Sequence, residues 1–453
     1  MERIETYRHK EAVLSIQKKF IKVALALGFL FILFFPIYAN AQEQSIQHQI
    51  RESQSGETVK LRKGEYKESI VIDKPIHLVG DENVTLIQKG SNPTITINSN
   101  NVKIENFNIK HLDTGSKSPA IFINGDNNYL KNIQIDTNSY GIQLDEANYN
   151  ILSYLNISGD ENELIKNRQH GIDLWKSHYN IIHDTTIDHV QDGIYIERSN
   201  EIKVYNNTVY QSRYGYHLMF TNNTILEENE SYENISGMMI MGTDGTIVKH
   251  NILKYNQENV QSLGLLLFDT VNSTITENNI VNNRIGVFIE DASNNKLALN
   301  NVQGNYIGIQ FKGAENNNIF NNSFVANVVQ GQAKESSHNN TNQNYWGDHF
   351  GLDITGDKIS NLTYKVDPFF LNITNEYPPF QLLFQSPGMV FLEQLIHTPV
   401  EQQLIDQSPL MENPLISSNN QSINQVPILL FCISLLIVSI LIIYLGVKSN
   451  EKI

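Results

Sequence analysis

Four side chains with soft donor atoms lie close together in the sequence: one imidazole, His217, and three thioethers, Met219, Met239 and Met241. A combination of imidazole nitrogen and thioether sulfur favours Cu(I) over Zn²⁺, Ca²⁺ or Mg²⁺. The single cysteine, Cys432, lies inside an apolar run near the C-terminus, so disulfides, thiolate metal sites and a cysteine nucleophile are excluded. The residue types therefore predict a Cu(I) site, provided that the fold brings the four side chains together.

The element that must position these residues is a repeat with a spacing of 22 residues. Each repeat is marked by a glycine or alanine followed by an apolar residue or tyrosine. The marked positions are Ala120-Ile121, Gly141-Ile142, Gly171-Ile172, Gly193-Ile194, Gly215-Tyr216, Gly237-Met238, Gly264-Leu265, Gly286-Val287 and Gly308-Ile309. Two longer intervals contain polar inserts, residues 158–169 and 256–260. A regular repeat of this length predicts a solenoid.

Within each repeat, the first and third residues after the glycine are apolar, while the second and fourth are mostly polar, aromatic or charged. This alternation predicts a half-buried β-strand. Asparagine pairs such as Asn127-Asn128 and Asn316-Asn317 predict corners, because Asn tolerates left-handed backbone. The sequence thus predicts an all-β fold, a right-handed parallel β-helix solenoid with coils of about 22 residues, continuous from about residue 59 to 330. The hexapeptide phasing of the left-handed form is absent.

Alignment of the coils by their glycines directs the second and fourth positions outward. Two adjacent coils then place His217, Met219, Met239 and Met241 at the corners of a rectangle about 5 Å by about 6.6 Å. We therefore predict these four residues as metal ligands, with Cu(I) as a transient cargo. The alternative interpretation is an apolar patch that receives a partner or a covering loop.

Both ends of the chain carry apolar segments, and they set the predicted domain organisation. We predict a signal peptide at 1–41, a parallel β-helix at 42–345, a proline-containing extended arm and linker at 346–425, a transmembrane helix at 426–447 and a cytosolic tail at 448–453. Basic residues next to the apolar segments predict a single-pass cell-membrane protein with an extracytoplasmic β-helix. The net charge of −15 argues against nucleic-acid binding.

Several segments in this order resemble the NosD family, the extracytoplasmic accessory proteins of nitrous oxide reductase maturation. The segments are Arg213-Tyr214-Gly215-Tyr216-His217-Leu218-Met219-Phe220, Gly237 to Met241, Gly264 to Leu267, Asn344-Tyr345-Trp346-Gly347-Asp348, Leu382 to Pro387 and Asp406 to Met411. The similarity extends from about residue 45 to 415. Carried over residue by residue, it implies functional roles for Arg213, Tyr214, His217, Met219 and Met241.

The resemblance also implies a set of partners. These are an ABC transporter formed by a NosF-type ATPase and a NosY-type membrane subunit, a NosL-type copper chaperone, and nitrous oxide reductase itself. The protein would serve assembly of the copper–sulfide cluster of the reductase. No phosphate-binding loop of the Gly-x-x-x-x-Gly-Lys-Ser/Thr type occurs in the chain, so energy would come from a partner.

The main alternative is a carbohydrate-active or carbohydrate-binding cell-surface β-helix protein. A pectinase, lyase or epimerase of this fold needs clustered acids or an Asp–Arg–Ca²⁺ constellation on one outer face. The nearest cluster lies at differing phases of the coil and is interpreted as solvated turn residues: His170, Asp173, His178, His183, Asp184, Asp188 and His189. We therefore expect a protein without enzymatic activity.

Overall fold

The computed structural model describes residues 18–22, 45–81, 83–366, 368–383, 386–395, 404–416 and 439. Most of the predicted signal peptide at 1–41 and of the predicted transmembrane helix at 426–447, and all of the tail at 448–453, lie outside the described residues. Of the helices in the described part of the chain, none is both long enough and apolar enough to cross a membrane.

The chain divides into two compact units, residues 1–52 and 53–453. In the first unit, the structure describes helical residues 18–22 and the helix Ile46–Glu52. The second unit contains the strands. Its other described helices are two α-helices, Phe369–Glu376 and Pro387–Leu395, and two 3₁₀ segments, Ile165–Asn167 and Pro378–Leu383.

The second unit contains a parallel β-helix of the right-handed type with about 13 turns and coils of about 22 residues, which confirms the β-helix part of the predicted fold class. Its larger sheet, sheet 1, has 22 described strands. They are Thr58–Leu61, Gly64–Tyr66, His77–Gly80, Val84–Gly90, Lys103–Asp113, Tyr129–Thr137, Ile151–Ser158, Ile181–His183, Thr186–Asp188, Lys203–Tyr205, Thr208–Tyr210, Ile225–Glu227, Glu230–Tyr232, Ile247–Lys249, Ile252–Lys254, Thr274–Thr276, Asn279–Val281, Lys296–Ala298, Asn301–Gln303, Asn318–Phe320, Ser323–Val325 and Tyr345–Trp346.

The smaller sheet, sheet 2, has 12 described parallel strands, one from each successive coil. They are Ile70–Ile72, Ile95–Ile97, Ile121–Ile123, Ile142–Asp145, Ile172–Trp175, Asp192–Glu197, Tyr214–Met219, Ser236–Met241, Leu263–Phe268, Ile285–Glu290, Ile307–Lys312 and Val329–Lys334. A separate antiparallel pair joins Tyr364–Val366 to Leu404–Asp406.

The core lies inside the coils, between the two sheets. Ile172 pairs with Ile194 and Leu265 pairs with Val287, and each of these four side chains is at most 1% exposed. Stacked apolar columns of this kind bury the strip that a single coil could not cover by itself. The predicted inward positions are therefore confirmed.

The glycine that begins each repeat is required by close packing between coils. A Cβ atom added to Gly193 would lie 2.6 Å from the carbonyl oxygen of Gly215 and 2.4 Å from Cγ1 of Val209. Carbon atoms do not approach to such distances without displacement of the backbone. The column of glycines thus lets successive coils stack where the chain enters sheet 2.

Buried asparagines connect the coils at their corners. Asn251 Oδ1 accepts hydrogen bonds from the backbone N and side-chain Nδ2 of Asn229, at 2.9 and 3.1 Å. Asn251 Nδ2 in turn donates to Leu226 O at 2.9 Å. The same pattern repeats along the solenoid. The asparagine ladders thus provide hydrogen-bond partners for buried backbone amides at the corners and for carbonyls of nearby strands, such as Leu226 O. Neighbouring residues such as Asn316 adopt left-handed backbone, with φ of 56°.

Parts of the segment 346–425, predicted as an extended arm, are folded against the last coils. Trp346 stacks on Phe324 with ring centroids 4.5 Å apart. Leu371, on the helix Phe369–Glu376, packs with Ile307 and Val329 on the outer face of sheet 2. This helix covers apolar outward residues of the final coils and removes them from water.

Candidate metal-binding site

The strand register places the four predicted ligands side by side on sheet 2. His217 and Met219 lie on the strand Tyr214–Met219, and the other two lie on the adjacent strand. In the parallel pairing, His217 is the Cα partner of Met239, and Met219 is the partner of Met241. Neighbouring parallel strands are about 4.8 Å apart, so the four side chains share one small area of the outer face.

Two of these outward side chains are buried, although their positions predict exposure. His217 and Met239 are each 7% exposed. The ring of His217 lies against Tyr195 and Tyr214, with centroid distances of 4.9 and 5.2 Å. Met239 packs with Leu263 and Leu266, and Met241 contacts the same cluster. Large outward neighbours, rather than the interior of the solenoid, exclude water from this part of the sheet.

Asp192, on the preceding coil, organises the polar side of the site. Its Oδ2 lies 2.8 Å from Nδ1 of His217. Arg213 donates two further hydrogen bonds, from Nε to Oδ1 at 2.8 Å and from a terminal nitrogen to Oδ2 at 2.7 Å. Burial by itself would raise the pKa of Asp192, but the hydrogen bonds from His217 and Arg213 outweigh burial and lower that pKa. Asp192 is therefore an ionised carboxylate that accepts hydrogen bonds.

The second nitrogen of His217 has no hydrogen-bond partner. Nε2 is buried and unpaired, whereas Nδ1 faces the Asp192 carboxylate. A buried polar atom without a partner is costly and requires an explanation, such as a ligand that binds there. In a neutral imidazole whose Nδ1 donates to Asp192, Nε2 carries the lone pair that a metal ligand needs.

Next to Met219, the hydroxyl group of Tyr195 lies between a carboxylate and a thioether. Its hydroxyl group is 2.6 Å from Oε2 of Glu197 and 3.4 Å from Sδ of Met219. Burial, with the neighbouring Glu197 carboxylate, raises the pKa of Tyr195. The phenol therefore stays protonated and donates to Glu197, and the sulfur of Met219 is held beside it.

Two residues beside this site are wrongly predicted as solvated turn residues. His170 stacks on Tyr195 at a centroid distance of 4.6 Å, and its Nδ1 lies 3.6 Å from Asp192 Oδ2. Burial lowers the pKa of His170 to about 4. Asp173 is 9% exposed, and burial raises its pKa to about 6. Both side chains lie on the outer side of sheet 2, because Asp173 pairs in register with Tyr195 and His170 stacks on the ring of the same tyrosine.

Asp192 itself was not singled out by sequence reasoning. It occupies the position immediately before a repeat glycine, and the following coils place Tyr214 and Ser236 in the same column. That column also faces outward, at the edge of the strand. The repeat itself marks this column, as the residue before each glycine, and Asp192 is its acidic member.

The outer face changes its chemical character along the solenoid. Over seven successive coils, the column that contains His217 changes from polar to apolar: Gln143, Asp173, Tyr195, His217, Met239, Leu266 and Phe288. Phe122 precedes this stretch and Gln310 follows it. The predicted ligands lie at the boundary between the two regions. One side of the site thus supplies charges and hydrogen bonds, and the other side supplies a water-excluding surface.

The donor chemistry fits a soft metal ion. Within the described ranges, no group of three or more His, Cys, Asp or Glu side chains is arranged to hold a metal. The boundary offers instead an unpartnered imidazole nitrogen and three thioether sulfurs on paired strands. Thioether and imidazole ligands suit Cu(I).

The fold and this face define a class of protein, a parallel β-helix with a cluster of soft donors on one outer sheet. Residues 153–357 match the NosD family, described as periplasmic copper-binding protein (NosD). The match includes His217, Met219, Met239 and Met241, and it confirms the resemblance seen in the sequence. The description of the matched family refers to periplasmic copper binding.

Solved structures with a similar fold include carbohydrate enzymes. A mannuronic acid-specific family 6 polysaccharide lyase from human gut microbiota is 12% identical, with 64% of this chain and 77% of that chain covered and a TM-score of 0.47. The periplasmic alginate epimerase AlgG is 16% identical, with 62% and 72% covered and a TM-score of 0.43. The A-module of a mannuronan C-5 epimerase from Azotobacter vinelandii is 13% identical, with 63% and 89% covered and a TM-score of 0.41. No curated protein matches the sequence.

Proposed function

We propose that this protein is an extracytoplasmic accessory protein that holds Cu(I) in transit for assembly of the copper cluster of nitrous oxide reductase. The observation that carries the proposal is the buried, unpartnered Nε2 of His217 on a strand paired with two methionine positions. The family match, whose description refers to periplasmic copper binding, supports the same cargo.

The ligand set suits transfer rather than permanent storage. Three thioethers and one imidazole carry no formal charge, so they bind Cu(I) without the strong attraction of thiolates. Met219 and Met241 are only partly buried, which leaves the cargo accessible from one side. In this proposal the protein performs no catalysis, because it only receives the ion and gives it up.

The proposed donor and acceptor of the ion are partner proteins. A NosL-type chaperone would deliver Cu(I), a NosF/NosY-type ABC transporter would supply energy, and nitrous oxide reductase would receive the product. The proposed attachment to the cell membrane is the apolar segment 426–447. Apolar side chains on the arm are available for contacts with such partners: Leu382 is 89% exposed and Phe391 is 61% exposed.

Reductase activity in cells at limiting copper tests the proposal. The test variant combines His217→Gln with Met219→Leu, Met239→Leu and Met241→Leu. Leucine keeps the approximate volume of methionine, and glutamine retains a donor toward Asp192, so the fold should persist. We expect a reductase that lacks its catalytic cluster.

The matched control is Met238→Leu. Met238 lies on the same strand as Met239, but its side chain is fully buried inside the solenoid. This control should leave reductase maturation unchanged. Full reductase activity with the fourfold variant would refute the copper role, and selective glycan binding by the same face would favour a carbohydrate-binding protein instead.

A further inference from the structure

We propose that Asp192 is a positioning residue, which fixes His217 in the tautomer whose Nε2 can bind a metal ion. This inference rests on the proposed copper function and adds to it a residue that does not touch the metal. Asp192 acts together with Arg213, which holds the carboxylate in place.

The first step of the argument is the direction of one hydrogen bond. Asp192 Oδ2 lies 2.8 Å from His217 Nδ1, and the Asp192 side chain is fully buried. An ionised carboxylate can only accept, so the proton must reside on Nδ1. In a neutral imidazole the other nitrogen then carries the lone pair. Without Asp192, the proton could reside on Nε2 and block it.

The second step is the rigidity of Asp192. Arg213 contacts both carboxylate oxygens, at 2.8 and 2.7 Å, in the bidentate geometry that fixes both partners. The same guanidinium lies 4.4 Å from the ring centroid of Tyr214. Tyr214 meets the imidazole of His217 edge to face, at 5.2 Å. Arg213 therefore contacts two of the groups that orient His217.

The third step is the position of Nε2. It is buried and has no partner, although the opposite nitrogen of the same ring is paired. Met239 lies directly across from His217 on the next strand. A carboxylate that holds the far nitrogen of a histidine ligand is the usual means by which proteins set its tautomer and ring orientation, and loss of the carboxylate typically weakens metal binding about 10- to 100-fold.

The first test observes the tautomer in the metal-free protein. The full-length chain is labelled with ¹⁵N-histidine, and long-range ¹H–¹⁵N correlations are recorded, with the His217 signals assigned from the His217→Gln variant. We expect a protonated Nδ1 and an unprotonated Nε2 at His217, and loss of this single tautomer in Asp192→Asn. A protonated Nε2 in the wild-type protein would overturn the inference, whether or not the chain binds copper.

The second test uses Cu(I) affinity, measured by competition with a chromophoric Cu(I) chelator. Asp192→Asn should weaken binding about 10- to 100-fold. In the His217→Gln background, the same substitution should have no further effect, because Asp192 acts only through His217. An equal loss in both backgrounds would show that Asp192 has a merely structural role.

The matched control is Asp188→Asn. Asp188 is also a buried carboxylate paired with a histidine, with Oδ1 2.5 Å from Nδ1 of His189, but it lies on sheet 1. This variant should keep wild-type Cu(I) affinity. A comparable loss in the control would also contradict the specific role of Asp192. Failure of the wild-type chain to bind Cu(I) would instead refute the proposed function, a result that the tautomer measurement distinguishes.

Discussion

Trp346 donates its indole Nε1–H to Asp406 Oδ2 at 2.9 Å, across 60 residues of sequence. The same buried carboxylate accepts backbone hydrogen bonds from Gln343 at 3.1 Å and Asn344 at 2.9 Å. Asp406 therefore joins the segment 404–406 to the last coil. Two of the segments that carry the family resemblance, those around Trp346 and Asp406, thus form one structural unit at the end of the β-helix.

Asp406→Ala should destabilise this end of the solenoid. The substitution leaves the Trp346 indole and two backbone amides without their acceptor, which we expect to cost about 3 kcal/mol or more, since each unsatisfied buried group costs about 1–3 kcal/mol. Hydrogen exchange should show faster exchange of the Gln343 and Asn344 amides. Glu412→Ala, which removes an exposed ion pair with Lys358, is the control and should change stability by less than about 1 kcal/mol. Unchanged exchange in Asp406→Ala would exclude this closing role.

Asn251→Leu should destabilise the middle of the solenoid. The variant removes the acceptor for two hydrogen bonds from Asn229 and the donor to Leu226 O, so buried polar atoms lose partners on two coils. We expect a loss of about 3 kcal/mol in the free energy of unfolding, seen as a lower denaturant midpoint. Asn318→Ala, at an exposed strand position, serves as the comparison and should have little effect. Equal midpoints for the two variants would show that the ladder contributes little.

Asp173→Asn should stabilise the protein at neutral pH and have little effect near pH 4. The folded state holds the Asp173 proton up to a pKa of about 6, whereas the unfolded chain releases it near 3.8. Stability is therefore greatest below the unfolded pKa and is lost as the pH rises through about 6. Two pKa units correspond to about 3 kcal/mol, which sets the largest expected gain.

Denaturant midpoints at pH 4 and pH 7 measure this difference. The control is Asp160→Asn, in the exposed polar insert, which should shift neither midpoint appreciably. A stabilisation by Asp173→Asn that is the same at both pH values would contradict the buried, proton-holding carboxylate. The test requires only that both variants unfold by the same route as the wild-type protein.

The architecture follows from the sequence because it is repetitive. A fixed spacing with alternating apolar positions sets both the coil length and the strand faces, so the pairing of His217 with Met239 could be predicted from the glycines alone. Because the coils stack in register, the position of the glycine in one coil fixes which residues of the neighbouring coils lie beside it. The same regularity explains why Ile172 and Ile194 lie inside the solenoid, as the alternation predicts.

The burial and hydrogen bonds of the site could not be predicted in this way. Period-two alternation gives the side of the sheet on which His217 lies, but the water around it is removed by the rings of Tyr195 and Tyr214, whose rotamers the pattern does not specify. The contact with Asp192 likewise depends on side-chain packing between coils. The helix Phe369–Glu376 covers the last coils from outside the repeat, so no periodicity indicates where it packs.

X-ray absorption spectroscopy of the Cu(I)-loaded full-length chain tests the central claim most directly. We expect one Cu(I) per chain with a first shell of thioether sulfur and a single imidazole nitrogen, supplied by His217, Met219, Met239 and Met241. Met238→Leu should give the same spectrum, because that side chain faces the interior. Replacement of the three outward methionines by leucine should abolish the sulfur shell. A Cu(I) ion bound through nitrogen and oxygen alone, or a sulfur shell that persists in the triple variant, would contradict the account.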